Sequence, residues 1–358
     1  MVDPSATEAT KNLYKFLQES SKTKFLFGYH DSLGYGVNWK NKTEPEWTND
    51  LYKVYGVNPK MFSWDLGSGS VDYEIDNWPL NGVSNADIVE YVKYAHKIGG
   101  INTICMHRKN PKTGGKFYDT TSVIPDLLVS GDLQTDYLEW LTEIADVFKS
   151  MIDDEGELIP VIFRPYHEHN GDWFWWGNAS RTVDEYNEFW RMTVEHLRDT
   201  CQVHNLIYAI SPDSQFIYAT WEYYELNSEN YDTVIEKYQD SGYPGHDYVD
   251  IIAMDSYSLW DEWYVSRMST SYRDVCHWAR QNGKVCAIAE TGSDRMEISR
   301  FYPDYVYEAV TRHDSGMAYV MGWRNADEGH YYVPWPGASE ADKSSFQEFL
   351  DKNDVGML

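Results

Sequence analysis

The chain is poor in cysteine: four in 358 residues, Cys105, Cys201, Cys276 and Cys286, with no CxxC pair among them. That excludes a zinc ribbon, a thioredoxin-like redox motif and a disulfide-dense small scaffold. Cys105 and Cys286 stand inside apolar runs, so the cysteines read as buried thiols. No run approaches the roughly 20 apolar residues of a membrane span, so membrane insertion is not expected. The opening MVDPSATEATKN lacks the apolar stretch of an export signal. Positive charge is scarce as well: 30 Lys+Arg stand against 57 Asp+Glu, a net charge of −27. Such a balance keeps a protein soluble and repels nucleic acid and anionic membranes, which leaves a neutral or cationic substrate. No GxGxxG or P-loop pattern, linker, repeat or low-complexity stretch occurs, so 1–358 reads as a single domain.

Aromatic residues, by contrast, are abundant, with 15 Trp and 29 Tyr. Their polar ends want water or partners, so a wet, aromatic-lined cleft accounts for them better than a core alone. Apolar runs recur along the whole chain. They are Phe25–His30 (FLFGYH), 61–66 (MFSWDL), 101–107 (INTICMH), 159–168 (IPVIFRPYHE), 206–213 (LIYAISPD), Ile251–Tyr257 (IIAMDSY), 285–290 (VCAIAE) and 317–324 (MAYVMGWR). Between them lie amphipathic segments such as 85–98, 135–151, 183–201, 272–281 and 302–312. Continuous apolar strands belong to parallel sheets covered on both faces. Eight strand-helix alternations predict an α/β protein closed as a (β/α)8 barrel of the TIM type.

The runs begin apolar and finish in reactive residues: His30-Asp31, Trp64-Asp65, His107-Arg108, His167-Glu168, Asp213, Asp255 and Tyr257, Glu290, Trp323-Arg324. Strands that simply exit into polar loops would end in Ser, Asn, Gly and Lys. In barrels the active site lies at the C-terminal strand ends. Two carboxylates, Glu168 after the fourth strand and Glu290 after the seventh, face each other across such a mouth, which is what glycosidic hydrolysis requires. Glu290 must be ionised, and Tyr257 and Arg164 are placed to hold its charge. Glu168 must start protonated, with His167 and the aromatic run Trp173-Phe174-Trp175-Trp176 to shield it. At least one ring of that run is expected to face a sugar. His167-Glu168-His169 is not HExxH. On a strand, residues 167 and 169 would point one way and 168 the other, so no metal is expected.

RPYHEHNGDWFWWG, followed by YS, AETG and GWRN, resembles glycoside hydrolase family 26, from GYHD near the start to the Trp-Arg of the last strand. The resemblance implies a (β/α)8 fold and retaining endo-β-1,4-mannanase activity on mannan, galactomannan or glucomannan, with no cofactor. The alternatives in the family are β-1,3-xylanase, mixed-linkage β-glucanase and exo-acting mannobiohydrolase; a catalytically inactive carbohydrate-binding protein is the alternative from another class. By motif, the resemblance makes Glu168 the acid/base with His167 beside it, and Glu290 the nucleophile with Tyr257 hydrogen-bonded to it. Trp173 would contact the leaving-group sugar and Trp323 the attacked sugar, while Arg324 and His107 would reach the next sugar on the non-reducing side. His107 lies in MHRKNP, where many relatives read closer to WHxxNP. Two long loops, 65–83 with Tyr73, Asp76 and Trp78, and 109–131, are expected to narrow the cleft and favour mannobiose. A polymer substrate implies an exported, monomeric enzyme whose gene encodes a signal upstream of this chain.

Overall fold

The computed structural model describes residues 1–40, 47–66, 83–217, 228–257 and 264–358. Eight strands, β1 (Phe25–His30), β2 (Met61–Asp65), β3 (Ile101–Cys105), β4 (Val161–Arg164), β5 (Leu206–Ile210), β6 (Ile251–Tyr257), β7 (Val285–Gly292) and β8 (Tyr319–Gly322), pair in parallel with their sequence neighbours. β8 returns to β1 through Leu26↔Tyr319 to Tyr29↔Gly322, which closes the barrel. The expected (β/α)8 architecture is therefore present.

Strand alternation builds two cores. Leu26, Met61, Ile101, Ile162, Ile207, Ile251, Val285 and Ala287 fill the barrel interior. Their out-of-phase neighbours, Phe27, Phe62, Phe163, Tyr208, Ile252 and Ile288, pack against the helices. The helix Glu8–Ser20 contributes Tyr14 and Leu17 to the interior core and so closes the end opposite the strand C-termini. Capping boxes start two of the outer helices. Ser84 and Asp87 serve Asn85–Lys97, and Thr182 and Glu185 serve Val183–Glu195.

Several boundaries differ from the sequence reading for identifiable reasons. β4 ends at Arg164, four residues short, because Pro165 has no amide for the ladder and Tyr166 and Glu168 adopt left-handed backbone at φ 51°. The alternation argument against a metal at 167–169 therefore does not apply, since those residues are not on a strand. β7 runs on to Gly292, and the helix predicted over 272–281 starts earlier, as Tyr264–Gln281. The cysteine reading needs correction. Cys276 and Cys286 form a disulfide that ties this helix to β7, while Cys105 and Cys201 are buried thiols.

Candidate active site

The strand ends meet in one polar cluster. Arg164, the last residue of β4, is fully buried. It donates to Asp255 Oδ2 at 2.8 Å, to Ser211 Oγ at 2.9 Å and, from Nη2, to Glu290 Oε1. Tyr257 donates to the other oxygen, Glu290 Oε2, at 2.9 Å. Burial alone would raise the Glu290 carboxyl, but the charge and hydrogen bond of Arg164 outweigh that and hold it below the usual range. Glu290 is therefore an ionised carboxylate with both oxygens occupied.

Glu168 is the opposite case. Burial, then the charges of Glu290 and Asp213, push its carboxyl well above the ordinary value. Its Oε2 accepts from Trp173 Nε1 at 2.8 Å. The left-handed backbone at Glu168 costs roughly 1–2 kcal/mol for a residue with a Cβ. The backbone there is held by Glu168 N donating to Ser211 O at 2.8 Å and by Gly171 N donating to Glu168 O at 2.9 Å. Oxygens of Glu168, Asp255 and Glu290 lie within 4.8 Å of one another. An approach of one oxygen from each within that ceiling is nearer the roughly 5–5.5 Å spacing of retaining glycosidases than the roughly 6.5–9.5 Å that inversion needs for an intervening water.

The remaining predicted residues surround this pair. His167 is buried with Nε2 4.0 Å from Glu290 Oε1, and burial, then nearby positive groups, push it well below its ordinary value, so it is neutral. His107 packs edge-on to His167 at 4.5 Å, and its Nδ1 is 2.5 Å from Asp65 Oδ2. Trp323 lies 6.5 Å from His107, ring to ring, and 4.7 Å from His30. Of the run Trp173-Phe174-Trp175-Trp176, only Trp173 is half-exposed; the other three rings are buried. Arg324 follows Trp323 just past the end of β8. It is fully buried and donates from Nη1 to the Tyr35 hydroxyl at 3.0 Å, which in turn donates to Asp31 at 2.6 Å. The loop 109–131 packs Phe117 on His107 and Tyr118 on Phe174, while Tyr73, Asp76 and Trp78 of the other loop lie outside the described residues.

Asp255, Asp65 and Phe216 are among the participants that carry no role in the sequence reading. Asp255 and Asp65, which hold Arg164 and His107, were visible only as polar strand ends. Phe216 was not visible: half-exposed, it stacks on Trp173 at 6.2 Å and 30°, and nothing in SPDSQF marks it. Removal of the Tyr257 hydroxyl should lower turnover roughly 10- to 100-fold, since a hydrogen bond to a charged group contributes about 1.5–3 kcal/mol. Steady-state kinetics and a melting curve of Tyr257→Phe check this; the melting temperature should stay near wild type.

A closed (β/α)8 barrel with one proton-holding and one ionised carboxyl group at its C-terminal mouth falls in the class of two-carboxylate glycoside hydrolases. Comparison narrows the class. The chain belongs to glycosyl hydrolase family 26, whose family model matches residues 2–328. It is 31% identical over 372 aligned residues to a mannan endo-1,4-β-mannosidase of Bifidobacterium adolescentis, covering 98% of this chain but 35% of that protein. The chain thus spans about a third of the length of that curated relative. Among solved structures it resembles a family 26 β-mannanase from Bacteroides ovatus, with 30% identity, a TM-score of 0.84 and coverage of 98% and 95% of the two chains. It also resembles a modular endo-β-1,4-mannanase from Cellulomonas fimi, with 29% identity, a TM-score of 0.84 and coverage of 100% and 77%.

Proposed function

We propose that this chain is a retaining endo-β-1,4-mannanase that cuts mannan, galactomannan or glucomannan backbones by double displacement. The observation that carries the chemistry is the opposite protonation of Glu168 and Glu290 at close separation. The similarity to mannan-hydrolysing relatives supports the substrate. Glu168 protonates the glycosidic oxygen while Glu290 attacks the anomeric carbon. Glu168, now ionised, takes a proton from water, which releases the glycosyl group from Glu290. Two inversions give net retention.

In this reading Trp323 supports the attacked sugar and Trp173 the leaving one. His167 and His107, near Glu290, are placed to sense the axial 2-hydroxyl that distinguishes mannose from glucose. Arg324, held by Tyr35 and Asp31, reaches the next sugar on the non-reducing side. The barrel works as one catalytic domain and as a monomer. Export is part of the proposal, since polymeric mannan does not cross a membrane freely and the Cys276–Cys286 disulfide suits an oxidising compartment. Among the described residues no helix is long and apolar enough to cross a membrane.

A substrate panel with product sizing tests the reading: galactomannan, glucomannan, β-1,3-xylan and barley β-glucan. Mannans should be cut fastest, internally, with mannobiose prominent; faster cleavage of xylan or β-glucan would overturn the substrate. The Trp173–Phe216 stack extends the leaving-group side. Phe216→Ala should raise KM for mannopentaose roughly 3- to 10-fold, the range of one aromatic contact, and leave activated aryl mannobiosides unaffected. Equal KM changes on both substrates would remove Phe216 from the cleft.

A further inference from the structure

Glu290 points where a regular strand would not let it. Ala287 and Ala289 face the barrel interior, so strict alternation would send residue 290 outward to the helix layer. Its carboxylate instead meets Arg164, which is in phase with interior Ile162, and Tyr257, which is in phase with interior Ala253. A β-bulge resolves the conflict. β6 pairs Met254 with Ile288 and then Asp255 with Glu290, while β8 pairs Val320 with Ile288 and then Gly322 with Thr291. Both ladders pass over Ala289, the extra residue. Bulges beside active sites re-aim side chains in this way.

A passed-over carbonyl inside a barrel needs a donor. The Ala289 carbonyl has one: Nε2 of His30, from β1, lies 3.1 Å away. A carbonyl only accepts, so Nε2 carries the hydrogen and Nδ1 is left to accept from the Ser63 hydroxyl at 2.8 Å. Both ring nitrogens are thereby engaged. Burial pushes the ring down to about 4, so it stays neutral through the neutral range. The same ring lies against Trp323 at 4.7 Å.

We propose that His30 is a positioning residue: by donating from Nε2 to the Ala289 carbonyl it pins the bulge that turns Glu290 into the barrel mouth, and its ring seats Trp323. This rests on the reading of Glu290 as nucleophile and adds to it how the nucleophile is aimed. His30 touches neither reacting carboxylate. Its effect reaches the reaction through the backbone one residue before Glu290.

The amide nitrogen of glutamine reaches the Nε2 position, whereas that of asparagine reaches only the Nδ1 position. Substitution therefore separates the bond from mere bulk. With mannopentaose as substrate, His30→Ala should lower kcat roughly 100-fold, the cost of a misplaced reacting group, and hold KM within about threefold. His30→Gln should recover at least about tenfold of that loss, and His30→Asn should not. The rate at which an activated 2-fluoro mannobiosyl fluoride labels Glu290 should follow the same order. Nitrogen-15 spectra of the wild type should show His30 as the neutral Nε2–H tautomer. If the alanine variant does not fold, the comparison of glutamine with asparagine decides. Equal activity of those two, or an Nδ1–H tautomer, or His30→Ala within threefold of wild type, would overturn the assignment while leaving an active wild type and its function intact. A wild type that cleaves no mannan and accepts no label would overturn the functional reading, and this one with it.

Discussion

Glu290→Ala should lose turnover by a factor on the order of 10⁴ or more while still binding mannopentaose close to wild-type affinity. A nucleophile makes its decisive bond in the transition state, so its removal leaves ground-state contacts largely intact. The surroundings sharpen the expectation. Arg164 and Tyr257 are both aimed at this carboxylate, and without it Arg164 keeps only Asp255 and Ser211. Breaking a buried ion pair is destabilising, by about 3–5 kcal/mol when one partner is removed. Glu290→Gln is therefore the companion variant: it keeps the volume and should be as inactive with a smaller loss of stability. Calorimetric titration with oligosaccharide, beside single-turnover rates, separates binding from chemistry. A Glu290→Ala protein with a tenth of wild-type kcat would remove Glu290 from the role.

Glu168→Ala should split substrates by leaving group. Galactomannan needs a proton on the departing oxygen, so its hydrolysis should fall roughly 10²- to 10⁴-fold, the usual contribution of general acid catalysis. A dinitrophenyl mannobioside leaves without that proton, and its first step should fall far less. The pH profile follows with a definite sign. Glu168 works protonated, so activity is lost as pH rises through its raised pKa; Glu290 works ionised, so activity is lost as pH falls through its lowered pKa. In Glu168→Ala the alkaline limb should vanish for the activated substrate and the acid limb remain. Equal damage to both substrates, or an unchanged alkaline limb, would contradict the acid role.

The barrel was legible because each strand is an apolar run bounded by a reactive end, and the eight runs from FLFGYH to MAYVMGWR recur in order along the chain. The positions of Glu168 and Glu290 could be read for the same reason, since strand order fixes which ends face each other. What could not be read depends on local backbone departures and long-range pairing. The bulge at Ala289 leaves VCAIAE looking like any buried strand, and its partner His30 is 259 residues away. The left-handed turn at Glu168 is hidden in a segment that reads as continuous strand. The Cys276–Cys286 bridge joins a helix to a strand ten residues on, a spacing that matches no motif. The partners of Arg324, Tyr35 and through it Asp31, lie nearly 300 residues earlier, and nothing in GWRN announces them.

The most direct test of double displacement is the configuration of the newly formed chain end. Proton NMR of mannopentaose during the first minutes of cleavage resolves the two anomers before they equilibrate. The close, oppositely protonated pair of Glu168 and Glu290 predicts that the β-anomer appears first and the α-anomer grows in later by mutarotation. An α-anomer formed first would mean a single displacement by water, and would contradict a covalent glycosyl intermediate on Glu290.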